Sequence, residues 1–347
     1  MKKRLAFAAL VLLQQFAAVP AVHAQASAAQ AAGKTKPSPL APSEIVAAAP
    51  KADWTAIAPS DLLVMELAPD AKGRARRVVI QLMPPPFSQG WVGNIRTLAK
   101  AHWWDGLSIN RVQDNYVVQW GDANADDKVK AKPLPAGMST MLERDYVYTG
   151  GTRSVLPKDQ VDNYFGVPAP ILMVPFARNE DAYAQFGFGN GWPFAYEGNR
   201  LRSGEKESAW PVHCYGMVGV GRDLSPNTGS GAELYVVIGH APRHLDRNIA
   251  LVGRVIEGME FLSSLPRGHG GLGFYDLEQG DERVPIVSIH PGVEFKGLPA
   301  YEYLSTESSS FARYADARAN RRDAFFIRSA GGADVCNIPI PVRRVKG

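Results

Sequence analysis

Residues 106–122, GLSINRVQDNYVVQWGD, constrain the fold more than any other stretch of the chain. Two apolar runs, 107–112 and 116–120, flank the polar triplet Gln113, Asp114 and Asn115. β-Branched and aromatic residues on either side of such a turn predict a pair of strands. The pairing brings Arg111 on one arm near Gln119 on the other, among Tyr116, Val117 and Val118. An apolar surface with a few fixed polar groups is how small-molecule and peptide sites are commonly built. A single strand arginine is most often an ordinary solvated one, so the reading rests on the whole run.

That run carries a family resemblance. From Arg111 to Asp122 the sequence RVQDNYVVQWGD resembles the cyclophilin signature: an arginine, a phenylalanine, a methionine, a glutamine and a closing Gly-Asp. Tyr116 stands for the phenylalanine and Val117 for the methionine, and Asn110 holds the place of the usual preceding histidine. The resemblance covers about 62–121 and 215–289. It implies a mainly β fold: a cyclophilin-like closed eight-stranded antiparallel barrel with a capping helix at each end. It also implies peptidyl-prolyl cis-trans isomerase activity. Paired strands are expected at 62–67 and 77–82, a helix at 88–100 capped by Ser88, and a closing strand at 284–289.

Prolyl isomerisation requires no nucleophile, metal or cofactor, and none is expected. Amide resonance sets a barrier of roughly 18–20 kcal/mol, and a catalyst must hold the twisted amide more tightly than either planar form. The twisted nitrogen regains its lone pair. An arginine, always charged and with its donors in a rigid fork, suits it. The resemblance implies Arg111 as that donor and a proline cup of Tyr116, Val117, Tyr235 and Leu245. Gln119 would orient Arg111 or bind the substrate backbone, and Gly221 and Arg222 would offer main-chain contacts. Three positions depart from the family: Glu233 replaces a neutral amide, His244 a bulky aromatic and Ile249 a pocket histidine. Glu233 is expected to add negative charge near Arg111. The expected partners are proline-containing polypeptides. The alternative is a catalytically weak proline-peptide-binding module or chaperone using the same groove.

The two ends bear on location. Residues 1–24 have a basic start, an apolar stretch from Leu5 to Leu13 and a closing Val22-His23-Ala24, the form of a bacterial secretory signal peptide. No stretch is long enough to span a bilayer, and no cysteine follows the cut to carry a lipid. A periplasmic mature protein is expected. Loss of Lys2, Lys3 and Arg4 lowers the formal net charge from +4 to +1, so basicity gives no ground for a nucleic-acid partner. Residues 25–58 read as a flexible linker, 59–296 as the barrel domain, and 297–347 as a C-terminal extension with an amphipathic helix at 305–322. The 90 residues of 123–212 read as an insertion that decorates one rim, adds no barrel strand and extends the groove. Within it, 171–176 suggest an edge strand or buried loop.

Weaker patterns lead to no metal site. Asp122, Asn124 and Asp126 imitate the opening of a calcium loop, but Asp127 and Pro133 stand where glycine and glutamate belong. His240 and His244 have helical spacing with Pro242 between them. Cys214 and Cys336 can pair in an oxidising compartment. The favoured reading leaves Cys214 a small buried thiol, since Cys336 lies outside the family domain.

Overall fold

Short strands with alternating inward and outward residues, separated by tight turns, organise the chain. The structure is a computed structural model that describes residues 39–149, 181–197 and 208–345. Its strands are β1 (Trp54–Ile57), β2 (Leu62–Leu67), β3 (Arg76–Leu82), β4 (Ser108–Val112), β5 (Val117–Gly121), β6 (Gln185–Gly189) and β7 (Trp192–Glu197). They continue with β8 (Ser208–Pro211), β9 (Met217–Val220), β10 (Leu234–Val237), β11 (Leu251–Glu257), β12 (Val284–Pro291), β13 (Tyr301–Leu304) and β14 (Val342–Arg344). Helices are α1 (Pro42–Ala47), α2 (Gln89–Lys100), α3 (Met259–Ser263) and α4 (Ser309–Ala319).

Eight strands close an antiparallel barrel in the order β10-β5-β4-β12-β2-β3-β11-β9. The period of two decides which residues fill it. Val118 and Trp120 join the main core, whereas their neighbour Val117 packs with Tyr235 and Val237 in a separate cluster. Trp91, Val92, Ile95, Leu98 and Ala99 bury one face of α2 in the main core. Ser88 holds the N-cap position, as expected, but its side chain makes no capping bond. Its left-handed φ of 55° replaces the extended backbone from which a cap reaches the next amides.

Two expectations are corrected. First, residues 39–58 are not a tether. The helix α1 packs on α4, and β1 pairs with β13, which pairs with β14. Ile45, Ala49, Trp54 and Ile57 are at most 9% exposed, and these few anchors are lost in a reading by composition. Residues 1–38, with the signal-like segment, and 171–176 lie outside the described residues. Second, Cys214 and Cys336 form a disulfide, with Cα atoms 5.1 Å apart. The C-terminal extension folds back on the barrel, so distance from the family domain in sequence did not mean distance in space.

Among the described residues, the barrel takes no strand from 123–212. Described residues of that segment form a separate sheet, β6-β7-β8. Its hairpin turns on Asn190 and Gly191, at φ 51° and 78°, the dipeptide that suits a tight turn with two positive φ angles. A Cβ on Gly191 would lie 2.4 Å from the Tyr303 ring, so the hairpin seats only with glycine there. Arg254 on β11 donates to the Gly191 carbonyl at 2.7 Å, which ties the hairpin to the barrel wall.

Candidate active site

The strand pairing sets the site. Arg111 on β4 lies opposite Gln119 on β5, and Gln119 lies opposite Tyr235 on β10. All three stand on the outer wall of the barrel. Arg111 Nη1 donates to Gln119 Oε1 at 3.0 Å, Nε to the Leu272 carbonyl at 2.7 Å, and Nη2 to Gln113 Oε1. Its guanidinium carbon sits 5.5 Å from the centre of the Tyr116 ring and 5.4 Å from that of Phe274. The fork is thus held in one plane by three acceptors and two rings. Burial lowers its pKa from the ordinary value, opposed by Tyr116 and Glu233, and a guanidinium so placed stays charged at neutral pH.

Glu233 does not touch Arg111 directly. Its Oε1 accepts from Gln119 Nε2 at 2.5 Å, so the contact runs through the amide. An ionised carboxylate only accepts. It therefore draws the Gln119 NH₂ group to itself and turns the amide oxygen toward Arg111. Burial raises the Glu233 pKa above its ordinary value, with Asp126 adding to the rise and Gln119 and Arg111 opposing it.

Beside Arg111, Val117, Tyr235 and Val237 form an apolar floor, with Tyr116 and Ile249 packed against it. Tyr235 lies over Gly219, where a Cβ would come within 2.3 Å of its ring. Its hydroxyl meets His213 Nε2 at 2.8 Å, and His213 Nδ1 meets Asp246 Oδ1 at 2.8 Å. The carboxylate can only accept, which assigns the imidazole proton to Nδ1 and leaves Nε2 to accept from the tyrosine. Burial pushes the His213 pKa down, so the ring is neutral. Arg243 then bridges Asp246 and Asp181 at 2.6 Å each, all three side chains being buried. A buried polar chain thus fixes the floor of the cup from below.

The other expected residues separate into two places. Gly221, Arg222 and Glu233 line an adjoining groove of about 470 Å³, together with Trp103, Asp126 and Lys132. Residues 122–134 form one side of it, so the start of the insertion borders the site. Arg222 is turned to main-chain carbonyls of Asn248 and Asp223. His244 and Leu245 sit on the single turn Arg243–Leu245, and neither joins the apolar cluster, whereas Ile249 does. Sequence reasoning missed Gln113, Phe274, His213 and Asp246. Phe274 comes from a loop far along the chain. The available signal was a histidine directly before a small-residue strand, with an aspartate following Leu245. The acidic stretch at 122–133 is used for turns: Asp122 accepts from the Asn124 and Lys132 amides.

A charged, preorganised donor thus stands beside an apolar cup on the outer wall of a closed antiparallel barrel. Residues 77–290 match the family described as cyclophilin type peptidyl-prolyl cis-trans isomerase. The match covers more than half of the chain, which therefore belongs to that family and is a peptidyl-prolyl cis-trans isomerase. Among solved structures, a cyclophilin from Hirschia baltica is similar at 19% identity and a TM-score of 0.59, covering 85% of this chain and 95% of that one. That likeness shows the fold. A cyclophilin type peptidyl-prolyl cis-trans isomerase from Cryptosporidium parvum matches at 10% identity and a TM-score of 0.34, covering 66% and 96%. The same Cryptosporidium protein was also solved in the presence of the dipeptide Ala-Pro, at 9% identity and a TM-score of 0.34, covering 66% and 98%. No curated protein matches the sequence.

Proposed function

We propose that this isomerase acts on X-Pro bonds of exported proteins, with Arg111 as the donor to the twisting proline nitrogen. The carrying observation is the Arg111 guanidinium, fixed by Gln119, Gln113 and Leu272 beside the Val117–Tyr235 floor. The proline ring rests on that floor under Tyr116 and Ile249, which holds one side of the rotating bond. As the amide twists, the nitrogen gains a lone pair, and the η hydrogens of Arg111 left over from its three bonds meet it. A donor already in place stabilises that state without reorganising. The groove lined by Gly221, Arg222 and Glu233 receives the chain ahead of the proline.

Export is supported by the signal-like residues 1–24 and by the Cys214–Cys336 disulfide, which suits an oxidising compartment. Among the described residues no helix is long and apolar enough to cross a membrane. Mass spectrometry of the protein from a periplasmic fraction should find Gln25 as its first residue. An uncut chain recovered from the cytoplasm would overturn the export reading.

A further inference from the structure

The structure assigns a second site, a divalent zinc-class cation site at His102, His290 and Glu294, separate from the proline cup. Three elements converge there. His102 follows the end of α2, His290 lies near the end of β12, and Glu294 closes the turn Gly292–Glu294. The donor atoms of the three residues all lie within 4.8 Å of one another. His102 Nε2 donates to Glu294 Oε2 at 2.8 Å, a proton that a bound cation would replace, and His290 Nδ1 is 3.8 Å from the same oxygen.

Tetrahedral zinc with ligand bonds of about 2.0–2.1 Å separates its ligand atoms by roughly 3.3 Å. The two observed separations, 2.8 and 3.8 Å, bracket that value. The longer one exceeds a hydrogen bond, so Nδ1 of His290 faces the carboxylate without using it. Its other nitrogen is engaged: His290 Nε2 meets Asp105 Oδ2 at 2.8 Å. The Asp105 carboxylate only accepts, so the His290 proton sits on Nε2 and the Nδ1 lone pair points into the cluster. A carboxylate behind an imidazole in this way is the outer-shell arrangement of metal-binding histidines, fixing tautomer and ring together. Asp105 is itself placed by the Ile289 amide at 3.2 Å. The two imidazoles stack with centroids 3.7 Å apart and planes 16° from parallel, so the rings fan apart for both lone pairs to meet one ion. Two histidines and a glutamate are a zinc ligand set, and three protein ligands leave a fourth position for water or a donor from another molecule. A bound ion would fasten the end of α2 to β12.

The test uses the untagged mature chain, stripped with chelator and titrated with Zn²⁺ by calorimetry, with Co²⁺ absorption as a second readout. One saturable site is expected, with a Co²⁺ spectrum of low coordination number and a thermal midpoint that rises with added Zn²⁺. His102→Asn keeps a residue tolerant of the left-handed φ of 50° but removes a ligand. It should weaken binding at least tenfold, as should Glu294→Gln on the exposed turn. Asp105→Asn should weaken it about 10–100-fold without removing a ligand. Isomerase turnover of the metal-free variants should equal that of the wild type, which reports an intact fold. Absence of a saturable site in the wild type overturns the proposal. So does affinity unchanged in both His102→Asn and Glu294→Gln, since the ion then sits at other histidines.

Discussion

Glu233 reaches Arg111 only through Gln119, so the charge that departs from the family pattern acts by fixing an amide. Glu233→Leu removes the acceptor and frees Gln119 to turn. We expect kcat/KM to fall about tenfold, the size of one charge-assisted hydrogen bond of about 1.5 kcal/mol. Glu233→Gln should lose less, because an amide still accepts. Burial raises the Glu233 pKa above its ordinary 4.5, so protonation on acidification removes the hold on Gln119 before an exposed glutamate would titrate. The pH profile of kcat/KM should therefore decline on the acid side in the wild type and flatten in Glu233→Gln. An identical decline in the variant would assign the acid limb to another group.

At the scale of elements, the disulfide joins the approach to β9 to a turn of the C-terminal extension, closing a loop with a sequence separation of 122 residues. Loops of that length lose much unfolded-state freedom when closed, and removal of such a bond typically costs about 2–5 kcal/mol. Cys336→Ser should lower the thermal midpoint, and reductant should bring the wild type down to the same value. Equal midpoints with and without the bond would mean that the disulfide itself contributes nothing to stability. The strands β2, β3, β4, β5 and β12 were legible because their alternating residues lie between strong turns. The sheet of β1, β13 and β14 was not: its strands have three or four residues, and its partners stand at opposite ends of the chain. Within the site, Arg111 and Gln119 were legible because one hairpin register pairs them. The floor support was not, because His213 and Asp246 meet only once β9 and the turn after β10 are packed. Phe274 reaches Arg111 by a long-range contact that no local pattern encodes.

At the scale of the whole molecule, the buried chain Tyr235–His213–Asp246–Arg243 ties the cup to global stability. His213 is 0% exposed and burial lowers its pKa, so the folded state keeps it neutral while the unfolded chain takes a proton near 6.5. The unfolded state binds more protons below that value, so this stability is present above about pH 6.5 and is lost as pH falls toward the folded pKa. Denaturant unfolding between about pH 5 and 7.5 should show that loss in the wild type. His213→Leu should remove the slope while lowering stability by about 1–3 kcal/mol, because the Tyr235 hydroxyl is left buried without its partner while Asp246 keeps Arg243. A wild-type slope that survives in the variant would place the titration elsewhere.

Turnover of a proline peptide by Arg111→Ala shows whether Arg111 supplies the donor for the twisting nitrogen. Loss of a preorganised transition-state donor typically costs about 10²–10³ in rate, so the variant should lose most isomerase activity. It should stay folded and still bind the peptide, because the Val117–Tyr235 floor remains, with a thermal midpoint lowered by the loss of the three Arg111 hydrogen bonds but well above the assay temperature. Arg111→Lys should rescue poorly, since an ammonium lacks the planar fork. Wild-type turnover in Arg111→Ala would mean that Arg111 is not the donor.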